Sequence, residues 1–274
     1  MSEFPVGVAV ALSPLVRRVL APNAGHMTGP GTNTYLIGVD EVAVVDPGPD
    51  DVAHVDAIIG AASAERIRWI LLTHTHLDHW PAAVSLAART GAPILAFPTR
   101  EPGLRLDGRL RDGDAIEGRE FRLEALHTPG HAPNHLCFRL VEERVLLTGD
   151  NVLDGMWSVI SPDRGGDMAT YLASLLRMRA VPSAWLAPAH GHAIEDPRAR
   201  IDEYLQHRRD RERQILRSIR HEATTIPRLV DRLYPDLIDA LVPVARRQVH
   251  AHLLKLRDEG AVTGRSARTV WRPA

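Results

Sequence analysis

Histidine is over-represented in this chain and falls into three short clusters. The sequence has 14 histidines among 274 residues. The clusters are Thr73-His74-Thr75-His76-Leu77-Asp78-His79, His127-Thr128-Pro129-Gly130-His131-Ala132-Pro133-Asn134-His135 and Ala189-His190-Gly191-His192. A neutral imidazole is the commonest metal ligand in proteins near pH 7. The single cysteine, Cys137, excludes an intramolecular disulfide and a four-cysteine zinc site. The clusters therefore predict a metal site built from nitrogen and oxygen donors.

The first cluster has spacing suited to two ions. On an extended backbone, His74 and His76 point to the same side and can bind one ion, whereas Asp78 and His79 can turn towards a second. We expect one further histidine from each later cluster and one bridging carboxylate, because a dinuclear site usually needs about three protein ligands per metal. The predicted metal ligands are His74, His76, Asp78, His79, His131, Asp150 and His190.

The ligand set predicts the chemistry. Zinc lowers the pKa of bound water towards about 7, so a hydroxide bridging two ions can attack at neutral pH while the ions polarise the bond to be cleaved. Asp78 and Asp150 are the predicted catalytic residues, and Asp78 is expected to orient the nucleophile as well as bind metal. Zn²⁺ is the favoured cofactor, and Mn²⁺ or Fe²⁺ would also suit these ligands.

Buried strands are predicted to position these residues. Apolar strands over residues 67–73, 121–126, 144–148 and 185–187 each end shortly before His74, His131, Asp150 or His190. Functional residues of layered α/β proteins collect in loops beyond strand ends. The four loops are therefore expected to meet at one edge of a sheet sandwich.

The rest of the first 200 residues reads as alternating strands and helices. Further strands are predicted over residues 6–10, 34–39, 42–45, 93–96 and 136–140. Helices are predicted over 51–63, 80–90 and 171–179, and residues 98–119 read as loop and turns.

The C-terminal part differs in charge. From Glu203 onward there are 15 basic and 9 acidic residues. Helices are predicted over 202–220, 225–233 and 244–259, followed by a hairpin over 261–263 and 269–271. Three helices followed by a two-stranded wing is a winged-helix pattern. We therefore predict a catalytic domain over 1–198 and a winged-helix domain over 203–274.

The composition excludes several protein classes. Hydrophobic residues make up 45% and charged residues 24%, which is ordinary for a globular protein and excludes a disordered chain. The net charge of −1 gives no overall bias towards nucleic acid or membranes. No apolar run approaches the roughly 18 residues needed to span a bilayer. The N-terminus lacks the basic region of a signal peptide, so a cytoplasmic location is expected.

The motifs resemble those of the metallo-β-lactamase superfamily in residue type and order. The matching runs are His74-Thr75-His76-Leu77-Asp78-His79, Thr128-Pro129-Gly130-His131, Gly149-Asp150 and Pro188-Ala189-His190-Gly191. The resemblance implies an α/β fold, the αββα sandwich of two mixed sheets with helices outside, over residues 1 to about 195. The run Gly31-Thr32-Asn33-Thr34-Tyr35-Leu36 and the basic winged helix resemble the lactamase-β-like-2 branch. That branch includes an endoribonuclease of single-stranded RNA and many bacterial hydrolases.

Five further residues are candidates to line a substrate pocket: Asn33, Trp80, His135, Trp157 and His192. Asn33 lies at a turn that can face the metals. Trp80 follows the first motif, where many relatives have a small residue, and its indole is expected to narrow the pocket. His135 and His192 lie close to predicted ligands in the sequence.

Three functions follow from this site. The favoured one is a dinuclear metal hydrolase acting on a small ester, thioester or related acyl substrate, which the acidic first 202 residues favour. The second is a single-stranded RNA endoribonuclease on the same metals, which the basic tail keeps open. The third is a metal-sensing DNA-binding regulator, which the complete set of hydrolytic ligands argues against. A homodimer is a possible assembly.

Overall fold

The computed structural model describes residues 4–220 and 222–274. The chain forms two compact units that interleave along the sequence. The first runs up to residue 128 and includes 134–157 and 181–197, and the second comprises 129–133, 158–180 and 198–274. Because of this interleaving, the predicted sequence domains 1–198 and 203–274 stay a prediction.

The first unit contains a seven-stranded mixed sheet whose strands are neighbours in chain order. Its strands are β1 (Ala9–Ala11), β2 (Val16–Leu20), β3 (Asn33–Ile37), β4 (Glu41–Val45), β5 (Arg66–Leu71), β6 (Ile94–Ala96) and β7 (Gly108–Arg109). Strands β1 to β4 pair antiparallel and β4 to β7 pair parallel. The carboxyl ends of β4 and β5 therefore lie side by side, and the first histidine cluster follows β5.

The same unit contains a five-stranded sheet in the order β12-β11-β10-β9-β8. Its strands are β8 (Ala115–Glu117), β9 (Arg122–His127), β10 (Leu136–Leu140), β11 (Val145–Gly149) and β12 (Trp185–Pro188). β8 to β11 pair antiparallel, whereas β11 and β12 are parallel. Asp150 and His190 consequently follow two neighbouring strands at the same edge of this sheet.

Apolar side chains of both sheets form one buried core. Ile37 of the first sheet and Leu123, Phe138 and Leu147 of the second belong to the same cluster and are at most 1% exposed. Alternate side chains of a strand point to opposite faces, so β9 buries Leu123 while its neighbours are half-buried. This core fixes the relative position of the two strand edges that carry the predicted ligands.

Two helices cover the other face of the seven-stranded sheet. They are α1 (Val52–Ala61) and α2 (Ala82–Thr90). Val55 and Ile58 of α1 and Leu86 of α2 pack in one cluster with Val44 and Ile70 of the sheet. The α1 helix begins after Asp51, whose side chain accepts a hydrogen bond from the backbone N–H of His54, as expected of an N-cap.

The second unit is built from helices and a short hairpin. Its helices are α3 (Met168–Ala180), α4 (Pro197–Ile219), α5 (Ile226–Leu233) and α6 (Val242–Asp258), with single 3-10 turns at Pro162–Arg164 and Asp239–Leu241. Strands β13 (Val262–Thr263) and β14 (Arg272–Pro273) pair antiparallel. Ile215, Leu229, Val249 and Trp271 share one buried core. The three helices and the wing predicted for this part are present. None of the helices in the described part of the chain is long and apolar enough to cross a membrane.

Several predicted elements were wrong in detail. Strand β2 was missed because Arg17 and Arg18 interrupt its apolar pattern; in the structure the Arg17 guanidinium donates to the carbonyls of Ala61 and Gly38. Strands β7 and β8 lie in the predicted loop 98–119 and are too short to give a periodic signal. The predicted strand 6–10 starts only at Ala9, after Gly7 with its positive φ of 68°.

Candidate metal centre

Backbone hydrogen bonds tie the ligand-bearing loops together. The N–H of Leu136 donates to the carbonyl of Thr73 at 2.7 Å, and the N–H of Ala189 donates to the carbonyl of Gly149 at 3.1 Å. These bonds join the loop after β5 to the second sheet, and the ends of β11 and β12 to each other. The six predicted ligands of the first unit meet at this edge.

One group of ligand-type side chains contains Asp78, His79, Asp150 and His190. One ligand atom from each lies within 4.8 Å of all the others. The Nε2 atom of His79 is 3.6 Å from Asp78 Oδ2 and 3.5 Å from Asp150 Oδ1. The Nε2 atom of His190 is 3.4 Å from each of the same two oxygens. Two imidazoles and two carboxylates thus face one point.

A second group lies on the other side of Asp150. The Nε2 atom of His74 is 2.9 Å from Nδ1 of His76 and 4.0 Å from Oδ2 of Asp150. The two oxygens of Asp150 therefore face different groups, Oδ1 towards His79 and His190 and Oδ2 towards His74. A carboxylate in this position has the placement of a bridging ligand.

The donor atoms fit a divalent cation. Among the residues that the structure describes, the Nε2 atoms of His79 and His190 are buried and have no hydrogen-bond partner. A buried polar atom without a partner costs about 1–3 kcal/mol, and both of these atoms point at carboxylate oxygens. A cation between these nitrogens and the facing carboxylate oxygens would give each of them a partner. Imidazole nitrogen and carboxylate oxygen are both common zinc ligands.

Electrostatics of the site follow from its packed charges. Burial alone would raise the pKa of Asp78, but the nearby imidazoles of His79 and His190 outweigh it and lower the pKa to about 2. Burial would lower the pKa of His79, but Asp78, Asp150 and Asp46 together raise it well above the usual value. The pKa of His190 is raised in the same way against its burial, first by Asp150. Without a cation, the carboxylates thus hold protons on the imidazoles.

The remaining ring nitrogens of the imidazoles are held by hydrogen bonds. His190 Nδ1 donates to the carbonyl of Gly31 at 3.0 Å. His79 Nδ1 donates to Asp46 Oδ2 at 2.9 Å. His74 Nδ1 lies 3.0 Å from Thr73 Oγ1. Such contacts fix the tautomer and leave the other nitrogen for a metal.

Sequence reasoning missed Asp46, the residue that follows the predicted strand 42–45. Its carboxylate accepts hydrogen bonds from the Thr73 N–H at 2.8 Å and the Thr73 hydroxyl at 2.6 Å, besides His79. One signal in the sequence could have identified Asp46. It is a carboxylate directly after β4, and the histidine cluster follows the parallel neighbour β5 at the same edge of the sheet.

His131 belongs to the segment 129–133, which is grouped with the second unit. The Nδ1 atom lies 2.8 Å from the carbonyl oxygen of Val159 and 3.3 Å from Ser158 Oγ. The imidazole is 6% exposed. This anchoring of Nδ1 matches that of the other histidines, and the place of His131 among the ligands stays a prediction.

His135, a predicted pocket residue, is fully buried behind the centre. Its Nε2 atom accepts a hydrogen bond from the backbone N–H of Asp150 at 3.2 Å. Its ring stacks on that of His74 with the centroids 5.1 Å apart. These contacts place His135 where it orients two predicted ligands.

The other predicted pocket residues occupy varied surroundings. Asn33 is fully buried, and its Nδ2 donates to the carbonyls of Pro188 and Gly191, each at 2.9 Å. Trp80 packs with the helix-covered core. Trp157 is 36% exposed. His192 is exposed, with its ring 4.2 Å from that of Phe4. The pocket role of these residues stays a prediction.

Two known sequence families match the chain. Residues 27–190 match the family model of the metallo-beta-lactamase superfamily, and residues 225–271 match that of the beta-lactamase associated winged helix domain. The predicted fold class, an αββα sandwich followed by a small winged-helix domain, is confirmed.

Similar curated proteins agree with this match. The beta-lactamase-like protein 2 homolog of Caenorhabditis elegans is 30% identical over 261 residues, which cover 92% of this chain and 87% of that protein. The atrochrysone carboxyl ACP thioesterase of Claviceps purpurea is 32% identical over 243 residues, which cover 83% and 74% of the two chains. The predicted resemblance to the lactamase-β-like-2 branch is confirmed.

A solved structure has the same fold. The metallo-beta-lactamase family protein from Thermus thermophilus superposes with a TM-score of 0.79 at 25% identity. The match covers 96% of this chain and 100% of that protein.

Proposed function

The chain belongs to the metallo-beta-lactamase superfamily and is a hydrolase of that superfamily, and we propose that it uses two divalent metal ions to hydrolyse a small acyl ester or thioester. The observation that carries this proposal is the placement of Asp150. Its Oδ1 atom lies 3.5 Å from His79 and 3.4 Å from His190, while Oδ2 lies 4.0 Å from His74. One carboxylate thus faces two sets of imidazoles.

Each ion has its own proposed ligands. His79, His190 and Asp78 would hold one ion. His74 through Nε2 and His76 through Nδ1 would hold the other, with Asp150 shared. We assign His131 to the second of these ions because it ends the motif Thr128-Pro129-Gly130-His131, and because its Nδ1 is held by Val159 as the Nδ1 atoms of His79 and His190 are held by their own partners.

Two ions in these sites would lower the pKa of bound water towards about 7 and polarise the acyl oxygen. Around them, the chain supplies orientation and charge. The side chain of Asp78 is 28% exposed, against 13% for that of Asp150. Asp78 is therefore the carboxylate that can accept a hydrogen bond from the attacking water and orient it.

Acyl substrates are favoured over RNA by two observations. One relative is named as a thioesterase of an acyl carrier protein substrate. Moreover, many cations of the basic tail already have partners: Arg213 pairs with Asp210, Arg228 and Arg232 with Glu222, Arg257 with Asp258, and Lys255 with Glu212 and Glu259. Paired cations release few counterions on binding a phosphate backbone. We propose Zn²⁺ as the metal because imidazole and carboxylate ligands suit it.

A parallel assay tests the proposal. The protein is screened against p-nitrophenyl esters, acyl thioesters, bis-p-nitrophenyl phosphate and labelled single-stranded RNA, and bound metal is measured by elemental analysis. We expect acyl hydrolysis with two ions bound, and loss of both ion and activity in Asp150→Ala. Asp56→Ala is the matched control, since Asp56 is an exposed carboxylate paired with Arg89. Retention of metal and activity in Asp150→Ala would contradict the metal assignment. Cleavage of RNA alone would refute the proposed acyl substrate and identify RNA as the substrate.

A further inference from the structure

The second unit has a cavity of about 840 Å³ that lies outside the metal centre. Small-molecule sites usually occupy about 300–1,000 Å³. The cavity is lined by Arg246 and Arg247 from the first turns of α6 and by Arg268 from the turn between β13 and β14. Among the described residues that line the cavity, Asp163 from the 3-10 turn is the one that is acidic.

The lining has a surplus of positive charge. The Asp163 carboxylate is 3.2 Å from the Arg247 guanidinium and neutralises it. Arg246 and Arg268 have no acidic partner within 4.0 Å among the residues that the structure describes. The pKa of His250, also in the lining, is lowered by burial and by Arg257, so this imidazole is neutral near pH 7. Three guanidinium groups facing one carboxylate leave two positive charges for a ligand.

Apolar walls and one buried polar atom complete the cavity. Ile226, Pro227 and Leu254 contribute apolar surface. The Nε2 atom of His250 is buried and, within residues 4–220 and 222–274, lacks a hydrogen-bond partner. A site with apolar walls, convergent cations and an unused polar atom is suited to an amphiphilic anion.

The cationic side chains lie on fixed segments. The backbone N–H of Ile160 donates to Gln248 Oε1 at 2.8 Å, which ties the segment before the 3-10 turn to α6. The turn that carries Arg268 is closed by Thr269, whose hydroxyl accepts from the N–H groups of Arg265 and Ser266, both at 3.1 Å. The cavity is therefore formed before a ligand arrives.

We propose that this cavity binds the phosphate monoester of a small organic molecule, with the phosphate at Arg246 and Arg268 and the organic part against Ile226 and Leu254. A phosphate monoester carries about −1.5 to −2 charges at pH 7, which matches the surplus of two, and guanidinium groups bind phosphate through paired hydrogen bonds. A monocarboxylate would neutralise only half of this surplus.

Single-stranded nucleic acid is the competing ligand, and the charges disfavour it. A nucleic-acid backbone needs a continuous basic track. On the second unit, Arg228 and Arg232 pair with Glu222 and Arg257 pairs with Asp258. The lining of this cavity has a surplus of two positive charges, which suits one phosphate group better than a strand.

Calorimetric titration of the full-length protein tests the site. The probes are AMP, adenosine, inorganic phosphate and a short single-stranded RNA. We expect AMP to bind, with adenosine and inorganic phosphate each at least about tenfold weaker, because each lacks one part of the recognised ligand. The variant Arg246→Gln/Arg268→Gln should bind AMP about tenfold or more weakly than the wild type, since two charge-assisted hydrogen-bonding groups are lost.

Two further variants separate this site from other phosphate sites, including a loaded metal centre. Asp163→Asn should tighten AMP binding severalfold, because it adds one positive charge to the surplus while keeping a side chain of the same shape. Arg179→Gln/Arg213→Gln, which removes two cations that pair with Asp202 and Asp210 outside the cavity lining, should leave AMP binding unchanged. Thermal midpoint and metal content are measured for every variant to exclude unfolding.

Three outcomes would overturn the proposal. They are the absence of saturable AMP binding up to about 1 mM, equal binding of AMP to the wild type and the Arg246→Gln/Arg268→Gln variant, and tighter binding of RNA than of AMP with the same dependence on Arg246 and Arg268. The proposal does not depend on the acyl-hydrolase assignment, which is tested by activity and metal content.

Discussion

The Nδ1 atom of His79 donates a 2.9 Å hydrogen bond to Oδ2 of Asp46, a buried carboxylate 33 residues earlier in the chain. The same Asp46 also binds the backbone and the hydroxyl of Thr73, the residue before His74. One side chain at the end of β4 thus orients the loop that carries four of the seven proposed ligands.

Asp46→Asn is expected to lower metal affinity about 10- to 100-fold, the usual cost of losing an outer hydrogen-bond partner of a ligating histidine. Asparagine tolerates the positive φ of 49° at this position, but an NH2 group replaces one of its two oxygens, so it cannot accept all three hydrogen bonds that Oδ1 and Oδ2 of Asp46 receive. Affinity is measured by competition with a chromophoric chelator. Asp50→Asn, an exposed residue of the same loop, is the control and should match the wild type. Equal affinities for all three proteins would contradict this role of Asp46.

Asn33→Ala distinguishes a structural role of Asn33 from its predicted pocket role. The variant leaves the carbonyl of Gly191 without its amide donor, whereas the carbonyl of Pro188 keeps the Tyr35 hydroxyl as a donor at 2.8 Å. A buried carbonyl that loses its donor should cost about 1–3 kcal/mol of unfolding free energy, which urea denaturation measures. Because these carbonyls flank His190, metal affinity should fall too. A raised KM with unchanged stability and metal affinity would instead place Asn33 in contact with substrate.

Gly149→Ala is expected to disturb the centre through a steric clash. Gly149 has φ of +49°, and a Cβ there would lie 2.6 Å from His135 Nε2 and 2.9 Å from the Cβ of Thr73. We expect the clash to lower the unfolding free energy by about 3 kcal/mol or more. Metal should be lost as well, because Asp150 is the next residue.

Gly155→Ala is the matched control for that variant. Gly155 has a similar φ of +67°, but nothing lies within 4 Å of its Cβ position. Gly155→Ala should lower the unfolding free energy by only about 1 kcal/mol, because a non-glycine residue is disfavoured in this backbone conformation. Equal losses for the two variants would show that backbone strain, and not the contact with His135, sets the effect.

His54 should make stability depend on pH. The imidazole is 1% exposed, and burial lowers its pKa to about 4, against 6.5 in the unfolded chain. Between these values the unfolded state binds more protons, so the stability present above pH 6.5 is lost as the pH falls towards 4. This one group should account for about 3 kcal/mol across that window.

Unfolding free energies at several pH values check this dependence. His54→Gln should show a shallower loss between pH 6.5 and 4 than the wild type, since it removes one group that takes up a proton on unfolding. The exposed His26 provides the control His26→Gln, which should follow the wild-type curve. Parallel curves for His54→Gln and the wild type would refute the assignment.

The sequence alone determined the class of site and predicted its proposed members. Apolar strands that stop directly before His74, Asp150 and His190 leave little choice about the sheet edge on which these residues lie, because parallel strand ends meet at one edge. The winged helix was also predicted from the sequence, by helix starts such as Thr225-Ile226-Pro227 and by the terminal hairpin. Family motifs added the sandwich, since no local pattern states how two sheets face each other.

Only the tertiary structure decided which groups support the ligands. Asp46 and His135 lie 33 and 61 residues from the histidines that they contact, His79 and His74, and no local pattern links such pairs. Strand β2 was missed because the guanidinium of Arg17 pairs with Glu65 and donates to distant carbonyls, contacts that no local pattern predicts. Periodicity reports which face of an element is apolar. Hydrogen bonds between distant segments depend on packing, and packing exists only once the chain has folded.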